Sequence, residues 1–565
     1  MLRAPLSLLL TLAAPALGGA VISAPAAAAA QAGVVNPAAV NTAAGTRAAG
    51  AAPAPQAERA PAVVLDAAQR RRERLRAMAK VLVQAPPSTL QRYASAGFGA
   101  FNPSSVTAQQ VVLSNSTTAW IMSMSTPAEP DALLTPGIGG YDLILRLFVP
   151  ATGLDEIFSL FVPDSGFGVE RPLLVGFHGA GVSNLDLFFS TSFYLECEQR
   201  DWFMVAPFQF SAVGDSQTHY GSPQSELHVE AVLDWVTSLY PVDRDRIYGV
   251  GFSMGGGAAL SYAARHRDDR RPAFAAVVDH TGFASLRHTW VRLPVAQRPL
   301  LEDLFGGPPS NPVAEFEYLR SSLVDMETPS NQLVVGGRHM GVNLESVPVY
   351  AVYGASDPLM YLRTQTNVLH DFLQSLPFGQ SQLQVVPIPA ECFQPDPVTG
   401  FNRNGHCWDT LDETVACDWL DGQTLQRPSR GSILADRDGR WNAIDLTQIQ
   451  ANAFSAVDYL SEPAQNRMIL FSRENLEEVR FEATEVGLDT SSDLAVATTA
   501  IDGTGVEVIV DGYTVRPTTV LRDGAPALES CIPGALFPTW CYDAVDGSVR
   551  LAETGDALAV WTIVP

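Results

Sequence analysis

Arg246-Ile-Tyr-Gly-Val-Gly-Phe252 runs directly into Ser253-Met254-Gly255-Gly-Gly-Ala-Ala-Leu260. The first stretch ends in a continuously apolar run with no alternation, the pattern of a strand buried on both faces of a parallel sheet. The second is rich in small residues and continues to Arg265 as a helix. A strand that turns at once into a helix crowds the two backbones, and Gly251 and Gly255, two residues either side of the serine, are the residues that tolerate it. A serine in such a turn is lifted above the sheet edge in a strained conformation, as a nucleophile must be. The competing reading of Ser253 is a serine capping the helix in a tight turn.

Working outward, apolar runs at Tyr141 to Val149, Glu156 to Val162, Pro172 to Phe177, Phe203 to Ala206, Phe274 to Val278, Val347 to Tyr353 and Leu383 to Ile388 alternate with helical segments such as Glu226 to Ser238 and Thr364 to Leu376. Strand alternating with helix predicts an α/β fold with a doubly wound, mostly parallel sheet over residues 86–465. The period changes to two after Asn466, as in Val506 to Asp511, which predicts a small antiparallel β domain at 466–565. Residues 283–346 are too long for a plain crossover and read as a cap-like insertion. Its aromatic side chains, Phe283 and Trp290 among them, are candidates either for a pocket wall or for core packing.

A serine nucleophile needs a base to take its proton and an acid to hold the base's tautomer. Of nine histidines, only His406 follows the last strand of the series, so His406 is the candidate base. Two acids end strands at the productive edge. Asp357 sits in the turn Tyr353-Gly-Ala-Ser-Asp357-Pro358, and Asp279 ends Val-Val-Asp279-His280; the order Ser, Asp, His favours Asp357. The backbone N-H of Met254 is one oxyanion donor, and Phe177-His178-Gly179-Ala180-Gly181 supplies the other from Ala180 or Gly179. His178, His280, Phe283, Trp290 and Trp408 are candidate pocket residues.

The first residues give a compartment. Met1-Leu2-Arg3 and the apolar run Leu6 to Ile22 read as a secretory signal peptide over 1–24, with no stable membrane insertion once it is removed. Residues 25–61 are an Ala/Pro-rich linker without the means to bury a core. Residues 62–85 carry Leu75, Met78 and Leu82 at helical spacing with Arg70 to Arg72, Arg74, Arg76 and Lys80 on the other faces, a basic amphipathic helix. Six cysteines in an exported chain predict disulfides. Cys531 and Cys541 pair by proximity, and Cys197, Cys392, Cys407 and Cys417 are the remaining candidates. The formal charge of −24 from 36 basic and 60 acidic residues argues against nucleic acid, which requires a basic face, and favours neutral over polyanionic substrates. Asp436 to Asp445 has the alternating oxygens of a calcium loop, but Leu434 stands at the first ligand position, and no metal is expected. Asn115-Ser116-Thr117 is a glycosylation sequon.

Taken together, Leu173 to Gly181, Gly251-Phe-Ser-Met-Gly-Gly256, Tyr353 to Pro358 and Gly405-His406 resemble secreted α/β-hydrolase esterases related to polyhydroxyalkanoate depolymerases, feruloyl and acetylxylan esterases, and prolyl-oligopeptidase-type hydrolases. The resemblance covers roughly residues 150–420. It implies hydrolysis of a polymeric or small carboxylic ester through an acyl-enzyme, without a cofactor. Two other functions compete with it: a peptidase of the prolyl-oligopeptidase type, whose propeller repeats are not evident, and a polymer-binding protein on an inactive hydrolase fold.

Overall fold

A computed structural model describes residues 106–112, 118–124, 140–163, 169–209, 218–395, 403–500, 505–532, 537–554 and 558–565. Every described residue belongs to the unit Leu65–Pro565. The signal-like segment, the linker, the basic helix and the sequon at Asn115 lie outside the described residues.

Ten strands form the larger sheet: β1 (Val106–Val112), β2 (Thr118–Met124), β3 (Gly140–Val149), β4 (Leu154–Pro163), β5 (Arg171–Phe177), β6 (Phe203–Pro207), β7 (Val242–Phe252), β8 (Ala276–His280), β9 (Val349–Gly354) and β10 (Ser381–Val386). Their order is β1-β2-β3-β4-β6-β5-β7-β8-β9-β10. β4 pairs antiparallel with β3 and β6, and from β6 to β10 every pair is parallel. The fold is that of an α/β hydrolase. β5, β6 and β8 are buried at nearly every residue, which is why their sequences are apolar without alternation.

The helices are α1 (Leu185–Ser190), α2 (Phe193–Arg200), α3 (Pro223–Leu239), α4 (Met254–Arg265), α5 (Leu286–Arg292), α6 (Arg298–Phe305), α7 (Pro312–Arg320), α8 (Met360–Ser375) and α9 (Glu413–Asp421). Among the described residues no helix is long and apolar enough to cross a membrane. All residues of α4 are buried, consistent with its run of Gly and Ala packed between sheet and neighbouring chain. Helices α5 to α7 lie between β8 and β9, in the stretch 283–346 read as an insertion. It has a small core of its own, in which Phe283, Leu286, Leu301, Phe305 and Tyr318 are buried together.

The C-terminal region is a sandwich of two seven-stranded sheets. Most pairs are antiparallel, with parallel exceptions such as Arg467–Glu474 beside Leu494–Ala500. Its first strand is Arg430–Ala435, so the expected boundary at 466 is corrected to near 430. The strand Ser455–Glu462 alternates buried and half-buried residues along its whole length. That period-two signal precedes Asn466, but the early strands are broken by turn residues, and Gly439–Trp441 spans three residues. The sandwich shares one continuous apolar core with the hydrolase part, in which Leu260, Met340 and Leu344 meet Ile433, Leu434 and Trp441.

Polar contacts reinforce this junction. Asn343 donates from Nδ2 to Ala264 O at 3.0 Å and to Leu434 O at 2.9 Å. Arg265 at the end of α4 donates to Asp436 at 3.0 Å from Nε and 2.7 Å from Nη2, and also pairs with Glu226 of α3. Arg320 approaches the same Asp436 oxygen at 3.4 Å, and Asp445 pairs with Arg440 at 3.2 Å. Of the carboxylates with calcium-like spacing, Asp436 and Asp445 are thus engaged by arginines, and Asp438 accepts from Gln448 N at 2.7 Å.

Two disulfides are present, Cys392–Cys407 and Cys531–Cys541. Cys197 and Cys417, expected to complete the set, are buried on α2 and α9 and stand outside both bonds. Helix packing accounts for their burial: the two helices lie against each other, with Thr414 donating to Glu196 at 2.7 Å.

Candidate active site

At the carboxyl end of β7 the backbone of Ser253 takes φ 55°, ψ −118°, a sparsely populated conformation for a residue with a side chain. The surrounding glycines explain how it is tolerated. A Cβ on Gly251 would lie 2.1 Å from Gly255 O, and one on Gly255 would lie 2.2 Å from Phe177 O. No side chain fits at either position. The Ser253 N-H donates to His280 O at 2.8 Å, which fixes the turn to the end of β8.

His406 is brought to the same place from the loop ahead of α9. Its Nδ1 lies 2.6 Å from Asp357 Oδ2, and Asp357 is buried in the turn after β9. The other carboxylate oxygen, Oδ1, accepts from Leu359 N at 2.8 Å, so Asp357 is held at both oxygens. His406 Nε2 is buried and has no hydrogen-bond partner among the described residues. The ring lies with its centroid 4.4 Å from that of Phe252, the residue before the serine. The loop is pinned further by the Cys392–Cys407 disulfide, by Trp408 Nε1 donating to Asp186 at 2.8 Å, and by Thr410, which donates to Cys407 O at 3.1 Å and accepts from His280 Nε2.

A cavity of about 430 Å³ is lined by Gly179, Ala180, Ser253, Met254, His406 and Trp408, with Phe283 also on its wall. This volume falls within the range of roughly 300–1,000 Å³ usual for small-molecule sites. The structure therefore brings together the expected nucleophile, base, oxyanion-loop residues and two of the five pocket candidates.

The other three stand outside the lining, which corrects the expectation for them. His178 is fully buried, with Nδ1 2.8 Å from Gly179 O and Nε2 2.9 Å from Phe208 O; it braces the glycine turn. His280 is buried beside Phe252, at 4.9 Å between centroids. Burial, aided by His406, pushes its pKa down to about 3, so it stays neutral and does not compete as a base. Trp290 belongs to the insertion's packing, donating to Glu302 at 3.0 Å beneath the Arg298 guanidinium.

Asp279, the alternative acid, has Oδ1 accepting from Gly282 N at 2.8 Å and Oδ2 without a partner among the described residues. Burial, only partly offset by the Gly282 N-H, pushes its carboxyl up to about 7. The pocket also includes Tyr220, Leu293, Leu359, Leu362 and Arg403, which sequence reasoning did not single out. Adjacency to Asp357 was the available signal for Leu359 and Leu362. The one grouping of potential metal ligands among the described residues, Cys392, Cys407 and Asp409, contains the two disulfide sulfurs, which carry no thiolate.

No family model matches the chain, and no curated protein matches it. Among solved structures it is similar to a ferulic acid esterase at 16% identity and a TM-score of 0.32, covering 44% of this chain and 90% of that one. It is similar to an S-formylglutathione hydrolase from Agrobacterium tumefaciens at 14% identity and a TM-score of 0.34, covering 44% and 88%. A third similar structure is an acylaminoacyl peptidase from Pyrococcus horikoshii, at 12% identity and a TM-score of 0.35, covering 51% of this chain and 43% of that one.

Proposed function

We propose that the protein is an exported serine esterase that hydrolyses carboxylic esters through an acyl-enzyme. The observation that carries this reading is His406, tied to Asp357 through Nδ1 at 2.6 Å with Nε2 left without a partner among the described residues, in the same cavity as a serine held at φ 55°. In this reaction Ser253 Oγ attacks the ester carbonyl while His406 Nε2 takes its proton. Asp357 holds the imidazole tautomer and stabilises the imidazolium that forms. The N-H groups of Met254 and of Ala180 or Gly179 stabilise the oxyanion. His406 then protonates the departing alcohol, and water, activated by the same histidine, releases the acid. The signal-like N-terminus and the two disulfides support export; a neutral ester, polymeric or small, suits the acidic chain, and no metal or nucleic acid enters the reaction.

Ser253→Ala is expected to abolish hydrolysis of p-nitrophenyl acyl esters and fluorophosphonate labelling while circular dichroism stays that of the wild type. Undiminished hydrolysis in this variant overturns the assignment.

A further inference from the structure

The candidate cavity is chemically two-sided. One wall is apolar and consists of Tyr220, Phe283, Leu293, Leu359 and Leu362, all of which also belong to the insertion's hydrophobic cluster or pack against it. The insertion's core thus continues into the cavity. The side of the His406 loop is more polar: Asp186, Ser190, Arg403 and Trp408 line the cavity beside Phe252, with Asp186 fixed by the Trp408 indole and Arg403 ion-paired with Asp409.

Proton transfer sets the substrate's orientation. The alcohol oxygen receives its proton from His406 Nε2, so the alcohol must lie on the side of the His406 loop, which carries Arg403 and Trp408. The acyl group, on the other side of the carbonyl carbon, is then directed toward the apolar wall. We propose, resting on the esterase reading above, that the insertion supplies an acyl-binding wall, that the preferred substrates carry an apolar acyl group, and that Phe283 and Leu293 limit acyl length.

Phe283 is suited to act as a fixed end wall. It is 1% exposed, its ring centroid lies 5.8 Å from that of Tyr220, and a Cβ on Gly257 would fall 2.3 Å from the ring. The ring occupies space that only a glycine in α4 leaves open. Leu293 closes the C-terminus of α5 and is nearly buried, so a larger side chain there must project into the cavity or displace its neighbours.

The test measures kcat/KM of the full chain on p-nitrophenyl acetate and octanoate and takes their ratio. Leu293→Trp is expected to lower the octanoate-to-acetate ratio about tenfold or more, and Phe283→Ala to raise it, because a change of a few methylene volumes in an apolar pocket alters specificity on that scale. Opposite shifts support the proposal, and any other pattern overturns it. Fluorophosphonate labelling of Ser253 reports whether each variant is folded; Leu293→Phe and Phe283→Leu replace any that is not. A wild type that takes no label and hydrolyses neither ester defeats the esterase reading itself, a result separate from any change in the ratio.

Discussion

The two ends of α4 are built from opposite kinds of polar chemistry. At the N-terminal end, Ser253 is strained, His406 Nε2 lacks a partner, and Asp279 Oδ2 is buried without one among the described residues. At the C-terminal end, each guanidinium nitrogen of Arg265 meets a carboxylate of Glu226 or Asp436. Unsatisfied groups and backbone strain cost stability and persist where the surrounding fold holds them. Satisfied buried charges fix one domain against another. One buried helix carries both: the strained turn at Ser253, the elbow, at one end and the charged contact with the sandwich at the other.

The largest expected effect breaks the N-terminal end alone. His406→Ala removes the proposed base while leaving the elbow and its glycines in place, and kcat should fall by about 10⁴-fold or more. Ester hydrolysis and far-UV circular dichroism measured together check it: a fall in activity in a chain that remains folded is the expected pair. At the other end, Arg265→Ala leaves Glu226 and Asp436 as buried carboxylates without their main cation. It should cost about 3–5 kcal/mol in unfolding free energy, read from denaturant titration. The folded fraction should retain its fluorophosphonate labelling, since nothing in that network touches the pocket.

These two ends also differ in how far the sequence discloses them. The elbow is legible because steric crowding demands Gly251 and Gly255 at fixed offsets from Ser253. Asp357 is marked by its turn, and His406 by chain order. Their hydrogen bond spans 49 residues but follows from a known arrangement of strand ends. Arg265 and Asp436 are 171 residues apart, and nothing local in either segment announces the other; Asp436 instead has the spacing of a calcium loop. The apolar pocket wall is hidden for a related reason. Leu293 and Leu362 have the composition of core residues, and only the folded insertion decides that one face of that core borders a cavity. The Cys392–Cys407 pairing is likewise created by the loop that carries His406 back toward β10.

The two ends can be separated by pH, because each carries a buried carboxyl shifted in the opposite direction. Asp279 packs against Gly256 in the first turn of α4. Burial, only partly offset by the Gly282 N-H, raises it from 3.8 to about 7. The folded state therefore binds a proton that the unfolded state has released over roughly pH 4 to 7, and stability falls as pH rises through that window. Glu226 is also buried, but Arg265 outweighs the desolvation and holds it down at about 2, from 4.5. Its contribution is fully present above pH 4.5 and is lost as pH falls toward 2. Asp279→Asn keeps an oxygen to accept from Gly282 N and removes the titration. Between pH 4 and 7 the wild type should lose up to a few kcal/mol, on the scale of 1.36 kcal/mol per pKa unit, that the variant does not lose. Tm measured at pH 4, 5.5 and 7 for both proteins checks this, and parallel pH profiles would show that Asp279 is not the group responsible. Glu226→Gln should leave the slope above pH 5 unchanged, because the charge it removes is already fully ionised there in both folded and unfolded chains.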